Sequence, residues 1–142
     1  MKCILRFHWI LFLFFLFSCK SERTDEISNL KEEVIGIHDE VMPFMGELKS
    51  LKKEVEIKSK GLYEQDSILN NDRINELDLL AGQLDSAFDG MFVWMRQYKS
   101  PEEGMDREEA KIYLLEQKEK VKLVNEEIKI ALASAKKELG KD

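Results

Sequence analysis

The chain has 142 residues, 22 Lys and Arg against 28 Asp and Glu, and a formal net charge of −6. That length suits one domain. The acidic balance argues against a nucleic-acid partner, because phosphate recognition wants a basic footprint. Two cysteines and two histidines in the whole chain leave little for a disulfide framework or a histidine-rich metal centre.

The first element is an address. Lys2 and Arg6 form a basic start, and Trp9-Ile10-Leu11-Phe12-Leu13-Phe14-Phe15-Leu16-Phe17 is an unbroken apolar run. Such a run is too short to span a bilayer, which takes about 20 residues, but it suits the core of a secretory signal. It ends at Leu16-Phe17-Ser18-Cys19, a small residue directly before a cysteine with Leu three positions ahead of that cysteine. This resembles a bacterial lipobox, which implies removal of residues 1–18 and acylation of Cys19. The expected domains are therefore the signal 1–18, a short tether 19–24 and a soluble body 25–140, held to the membrane by acyl chains. The expected location is the bacterial cell envelope, at the outer membrane. Loss of the signal takes Lys2 and Arg6 with it, so the body carries about −8.

Three stripes with steps of three and four residues follow. The first runs Ile27, Leu30, Val34, Ile37, Val41, Phe44, Leu48, Leu51, Val55. The second is Ile74, Leu77, Ala81, Leu84, Phe88, Met91, Met95, Tyr98, and the third Leu114, Gln117, Val121, Val124, Ile128, Ala131, Ala135. This spacing marks helices packed at small crossing angles. Lys60-Gly61-Leu62-Tyr63 and Ser100-Pro101-Glu102-Glu103-Gly104 are the expected breaks. Asp106 with Glu109 forms a capping-box pattern and Gly140 a C-terminal cap. The fold expected is all-α, an elongated antiparallel up-down-up three-helix bundle with helices over about 25–60, 66–98 and 107–139. Pro43 removes a backbone donor inside the first helix, so a proline kink belongs there.

The segment Ile37-His38-Asp39-Glu40-Val41-Met42-Pro43-Phe44-Met45 admits two readings. In one, Met side chains fill the irregular space beside a kink. In the other, His38, Met42 and Met45 share one side of the helix and form a soft-metal site. If helix one ends near 60 and helix two begins near 66, Phe88 comes level with His38, and Gln117 comes level with Phe88. That register gathers His38 with a polar layer of Asp85, Asp89 and Gln117, while Met91 and Met95 follow within two turns. Imidazole and thioether ligands together favour copper in its soft Cu(I) state.

Catalysis finds no such support. The residue three before His38 is Ile35, so the Glu-x-x-His pair of a di-metal bundle is missing. Zinc catalysis takes three protein ligands, and only one histidine lies in the body. Straight helices also offer no obvious oxyanion hole for a Ser-His-Asp arrangement. The expectation is a non-enzyme. It would act as a structural or protein-interaction module for another envelope protein, with Phe92, Trp94 and Tyr98 as aromatic anchors. The alternative is copper binding or sequestration.

Three motifs carry a resemblance. They are Ile37-His38-Asp39-Glu40-Val41-Met42-Pro43-x-Met45 with Leu51-Lys52-Lys53, then Met91-Phe92-x-Trp94-Met95, then Tyr113-Leu114-x-Glu116-Gln117-Lys118. Together they resemble a group of small lipoproteins from Bacteroidetes-type bacteria that carry the label "viral A-type inclusion protein". That group more often has Met-Met-x-Trp-Met in the second motif, so Phe92 stands where a thioether is usual. The resemblance implies an envelope lipoprotein and brings no activity with it.

Overall fold

A computed structural model describes residues 22–101 and 104–141 of the chain. The signal expected over 1–18 and the lipid-bearing Cys19 lie outside the described residues. Helix one consists of α1 (Glu22–Val41) and α2 (Met45–Asp66), joined by a 3-10 turn at Met42–Phe44. Helix two is α3 (Asn71–Gln97) and helix three is α4 (Arg107–Leu139). The rods form an up-down-up three-helix bundle, with α2 and α3 antiparallel and α1–α2 running parallel to α4. No strand occurs among the described residues.

Three seven-residue series hold the bundle together. Val34, Val41, Leu48 and Val55 are each fully buried. So are Leu77, Leu84 and Met91, and Leu114, Val121, Ile128 and Ala135, none more than 1 % exposed. A strict period of seven is shorter than two turns of a straight helix, so the helices wind around one another to keep these positions inside. Fully burying each Leu, Val or Ile side chain contributes about 1.5–3 kcal/mol. Net stability remains far smaller than their sum, since ordering the chain opposes it.

Pro43 does what its chemistry requires, in a local form. The 3-10 turn Met42–Phe44 contains it, and the N–H of Met45 bonds to the carbonyl of Met42 three residues back. The helix resumes at once as α2, so the interruption is confined to one turn. A 3-10 turn winds more tightly than an α-helix, and the phase of the neighbouring side chains differs from the simple stripe. Phe44, expected on the seam, is 42 % exposed, while Met45 is buried.

The expected break at residues 60–63 does not occur. Gly61 costs a helix only about 1 kcal/mol relative to Ala, and Leu62 packs on the core, so α2 continues to Asp66. The stop comes from Asp66. Its carboxylate accepts the N–H groups of Ile68 and Leu69 at 3.0 Å each, replacing the helical partners with a local turn. Asn70 Nδ2 donates to the Leu62 carbonyl at 3.0 Å and ties the turn back to α2.

Both ends of α4 are capped as expected. Asp106 Oδ1 accepts from the N–H of Glu109 at 3.0 Å, and Glu109 Oε2 accepts from the N–H of Asp106 at 3.2 Å. Gly140 closes the other end at φ 65°, a left-handed conformation that glycine reaches without a Cβ penalty.

Near that end one carboxylate clasps all three rods. Glu138 Oε1 accepts from Lys58 Nζ of α2 at 2.6 Å and also from Arg73 Nη2 of α3. The Lys58 hydrogen bond, with help from Arg73, holds the Glu138 carboxyl below its ordinary 4.5 against the opposing effect of desolvation. A carboxylate with a lowered folded-state pKa contributes stability above its unfolded value, and that contribution fades as pH falls through the folded value. The fold should therefore lose stability as pH drops below about 4.5. Thermal melts of Glu138→Gln beside the parent should show a flatter acid limb for the variant. Separately, Leu84→Ala should cost about 2–5 kcal/mol in chemical denaturation, since Leu84 is only 1 % exposed.

Candidate functional site

The register of α2 against α3 decides which side chains can meet. Ser59 donates to Asp78 Oδ1 at 2.7 Å, Lys52 Nζ donates to Asp85 Oδ1 at 2.7 Å, and Lys49 Nζ lies 4.2 Å over the Phe88 ring. Phe88 thus sits opposite Lys49, about 16 Å along helix one from His38. The late stop at Asp66 moves the whole antiparallel partner, and the expected constellation around His38 does not assemble.

His38 lies beside Trp94 instead, with ring centroids 5.6 Å apart. Its Nδ1 is 2.8 Å from Asp39 Oδ1, its own neighbour in the chain. Nε2 is buried with no hydrogen-bond partner among the described residues. The ring therefore packs as a flat side chain between helices, tethered at one nitrogen.

Around Trp94 the structure builds an aromatic level. Trp94 is 5 % exposed, and its Nε1 donates to Gln117 Oε1 at 3.0 Å. Tyr98 follows at 5.1 Å from Trp94, and Tyr113 at 6.2 Å from Tyr98. The Tyr113 hydroxyl accepts the N–H of Lys99 at 2.7 Å, which anchors the start of the loop after α3. Gln117 is the polar residue singled out in the third stripe, and its role is to satisfy a buried indole. Buried polar groups need such partners. Trp94 is consequently a core residue, not an exposed anchor. Phe92 and Tyr98 are partly buried against the same core.

The other expected residues are scattered. Asp85 is exposed and paired with Lys52, whose pKa it raises through their hydrogen bond. Asp89 is exposed on the same helix. Met45 and Met91 are buried in the core, Met42 is partly buried against it, and Met95 is 38 % exposed. Among the described residues no group of three His, Cys, Asp or Glu side chains lies close enough to hold a metal ion. The copper site expected from His38, Met42, Met45, Met91 and Met95 is therefore withdrawn. The thioethers of Met45 and Met91 fill space between helices, Met95 lies at the surface, and the imidazole is engaged by Asp39.

Two further polar features escaped the stripe pattern. Asn125 is 3 % exposed, and its Nδ2 donates to the Ile37 carbonyl at 2.8 Å and to Glu40 Oε2 at 3.0 Å. It pins α4 to helix one just before the 3-10 turn. The second feature is a ladder. Glu26, Glu33, Glu40, Glu47 and Glu54 recur every seven residues and pair with Lys111, Lys118, Lys129, Lys136 and Lys141 of the α4 chain segment. Lys111 lowers the Glu26 pKa and Lys129 that of Glu40. These rungs are exposed, so each adds little stability. Their value is orientational, because only one parallel alignment of helix one and α4 satisfies them all.

An open cleft of about 830 Å³ lies at the loop end, lined by Ile27, Lys31, Ile35, Asp39, Pro101 and Met105 among others. Its lining contains no histidine or cysteine. What remains conspicuous is the opposite tip. Ile68 and Leu69 are 86 % and 84 % exposed, and Tyr63 beside them is 64 % exposed. They stand on a turn held by three hydrogen bonds from or to Asp66 and Asn70.

Gln117→Leu should leave the Trp94 indole N–H without an acceptor and cost about 1–3 kcal/mol. Chemical denaturation followed by tryptophan emission measures this directly, and an unchanged midpoint would mean that the buried hydrogen bond contributes nothing. No family model matches the chain, and neither a curated protein nor a solved structure matches it.

Proposed function

We propose that the chain is a membrane-tethered envelope lipoprotein whose bundle serves as a non-catalytic protein-interaction module. The tether rests on Leu16-Phe17-Ser18-Cys19 and on the resemblance to small Bacteroidetes-type lipoproteins. Among the described residues no helix is long and apolar enough to cross a membrane, which is compatible with anchoring by acyl chains.

The observation that carries the interaction reading is the rigid tip. Two branched aliphatic side chains more than four-fifths exposed gain nothing for the folded monomer. The Asp66 and Asn70 hydrogen bonds nonetheless hold their backbone in one shape. A preordered apolar knob loses little conformational freedom on docking. Its surroundings, Glu64, Asp66 and Asp72, favour an apolar pocket with a basic rim on the partner. The aromatic anchors expected at Phe92, Trp94 and Tyr98 are replaced in this reading by Ile68, Leu69 and Tyr63.

Two measurements test the proposal. Cys19→Ser should move the protein out of the membrane fraction and remove the acyl mass from its processed form; full retention with unchanged mass would end the lipoprotein reading. A photo-crosslinking side chain at Tyr63 should give a discrete adduct in cells, and Ile68→Ser with Leu69→Ser should abolish it while leaving helicity intact. An adduct that survives the double substitution rules out the tip as the docking element.

A further inference from the structure

The cleft of about 830 Å³ opens beside the start of helix one. Arg107 Nη2 donates to Glu26 Oε2 at 3.2 Å, so the first turns of α1 and α4 lie side by side at this end. Ile27 and Ile35 line one wall, eight residues and about 12 Å apart along α1. Pro101 and Met105 line the cleft from the loop side. Next to Ile35 the wall lacks a side chain at Gly36, where an added Cβ would meet nothing within 4 Å. Methionine adapts its shape to what it touches, and Met105 is half-buried here.

The chemistry of the lining narrows the occupant. Two cations, Lys31 and Arg107, and two anions, Glu32 and Asp39, share the lining, so no net charge selects an ionic ligand. The stems of Lys31 and Arg107 can extend the apolar wall while their charged heads stay in water. The α1 backbone is hydrogen-bonded within its own helix and offers no edge to an extended peptide. A linear apolar group that asks for no hydrogen bond suits such a cleft.

The chain carries a candidate for that group at the right end. Cys19 of the lipobox-like Leu16-Phe17-Ser18-Cys19 stands three residues before Glu22, the first residue of α1. Three residues reach at most about 10 Å, and Glu22 to Ile27 adds about 7.5 Å of helix. An acyl chain fills one leaflet, about 15 Å or half of a hydrocarbon core, which matches the separation of Ile27 and Ile35. So short a tether gives the acyl chain an effective concentration on the order of millimolar at the cleft. That favours it over a lipid arriving from solution. In water an exposed acyl chain is strongly disfavoured, and the cleft is the nearest apolar cover.

We propose that the cleft between α1 and the Pro101–Met105 wall shelters one acyl chain of Cys19 when the protein is outside a bilayer. This rests on the lipoprotein reading and gives its lipid a second resting place. In a membrane the same chain inserts among lipids, so the cleft acts only during passage through water.

The test uses the full chain made in bacteria fed a fatty acid with a diazirine near its terminal carbon. Chains labelled with ¹⁵N and unlabelled chains are mixed, freed of detergent and illuminated. Mass spectrometry should find the Cys19 peptide joined through its lipid to residues 27–39 or 104–107, with both peptides carrying the same label. Gly36→Leu fills the cleft and favours the helix, so it should cut that adduct at least fivefold with helicity retained. Gly46→Leu, also in helix one and equally open, lies outside the cleft lining and should leave the adduct unchanged. The proposal is overturned if no such adduct forms, if the joined peptides carry mixed labels, or if Gly36→Leu leaves its yield unchanged. A processed chain without lipid mass would sink the lipoprotein reading and this inference together. Lipid mass without the adduct would sink the inference alone.

Discussion

The four residues between Asp66 and Asn71 set the position of everything that follows them. An antiparallel helix can slide along its neighbour in steps of about one turn and still present an apolar stripe. What removes that freedom is the place where the first helix stops. Asp66 captures two backbone N–H groups, and the chain reverses there and nowhere earlier. The contacts of Lys49 with Phe88, Lys52 with Asp85 and Ser59 with Asp78 follow from that single stop. Trp94 then falls beside His38 and Gln117, and the indole hydrogen bond fixes the same height on α4.

The apolar interior is largely legible in the sequence. Val34, Val41, Leu48 and Val55, with their counterparts in the other two helices, advertise themselves by period alone. A seven-residue apolar repeat has few meanings besides helices wound together. The capping box at Asp106 and Glu109 and the cap at Gly140 were legible for a similar reason, since each uses a side chain or a glycine in a role few others can fill. Phe44 was misplaced because a 3-10 turn alters the local phase, and nothing in the stripe itself reports that.

Functional residues were harder to read, and the cause is register. His38, Asp85 and Asp89 converge only if the first helix ends at Gly61. A glycine in a helix costs about 1 kcal/mol, and the packing of Leu62 on the core overrides it. Once the reversal moves to Asp66, the carboxylates go to the surface and the methionines part company, Met45 and Met91 to the interior and Met95 to the surface. The glutamate ladder, by contrast, was present in the sequence as five residues spaced by seven. An apolar stripe draws attention first, and charged residues beside it look like a solvated surface until their partners on α4 are known.

The ladder has a mechanical side. Helix one and α4 run in the same direction, so Glu22 and Leu139 lie toward opposite ends of the bundle. Tension applied between those points would slide the two rods past each other instead of peeling them apart. The load would then be shared by Glu26, Glu33, Glu40, Glu47 and Glu54 with their lysines, and by Asn125 at the Ile37 carbonyl. Interactions that are individually weak at equilibrium would have to yield together. A bundle wired in this way resists stretching along its axis far better than it resists prying at the tip.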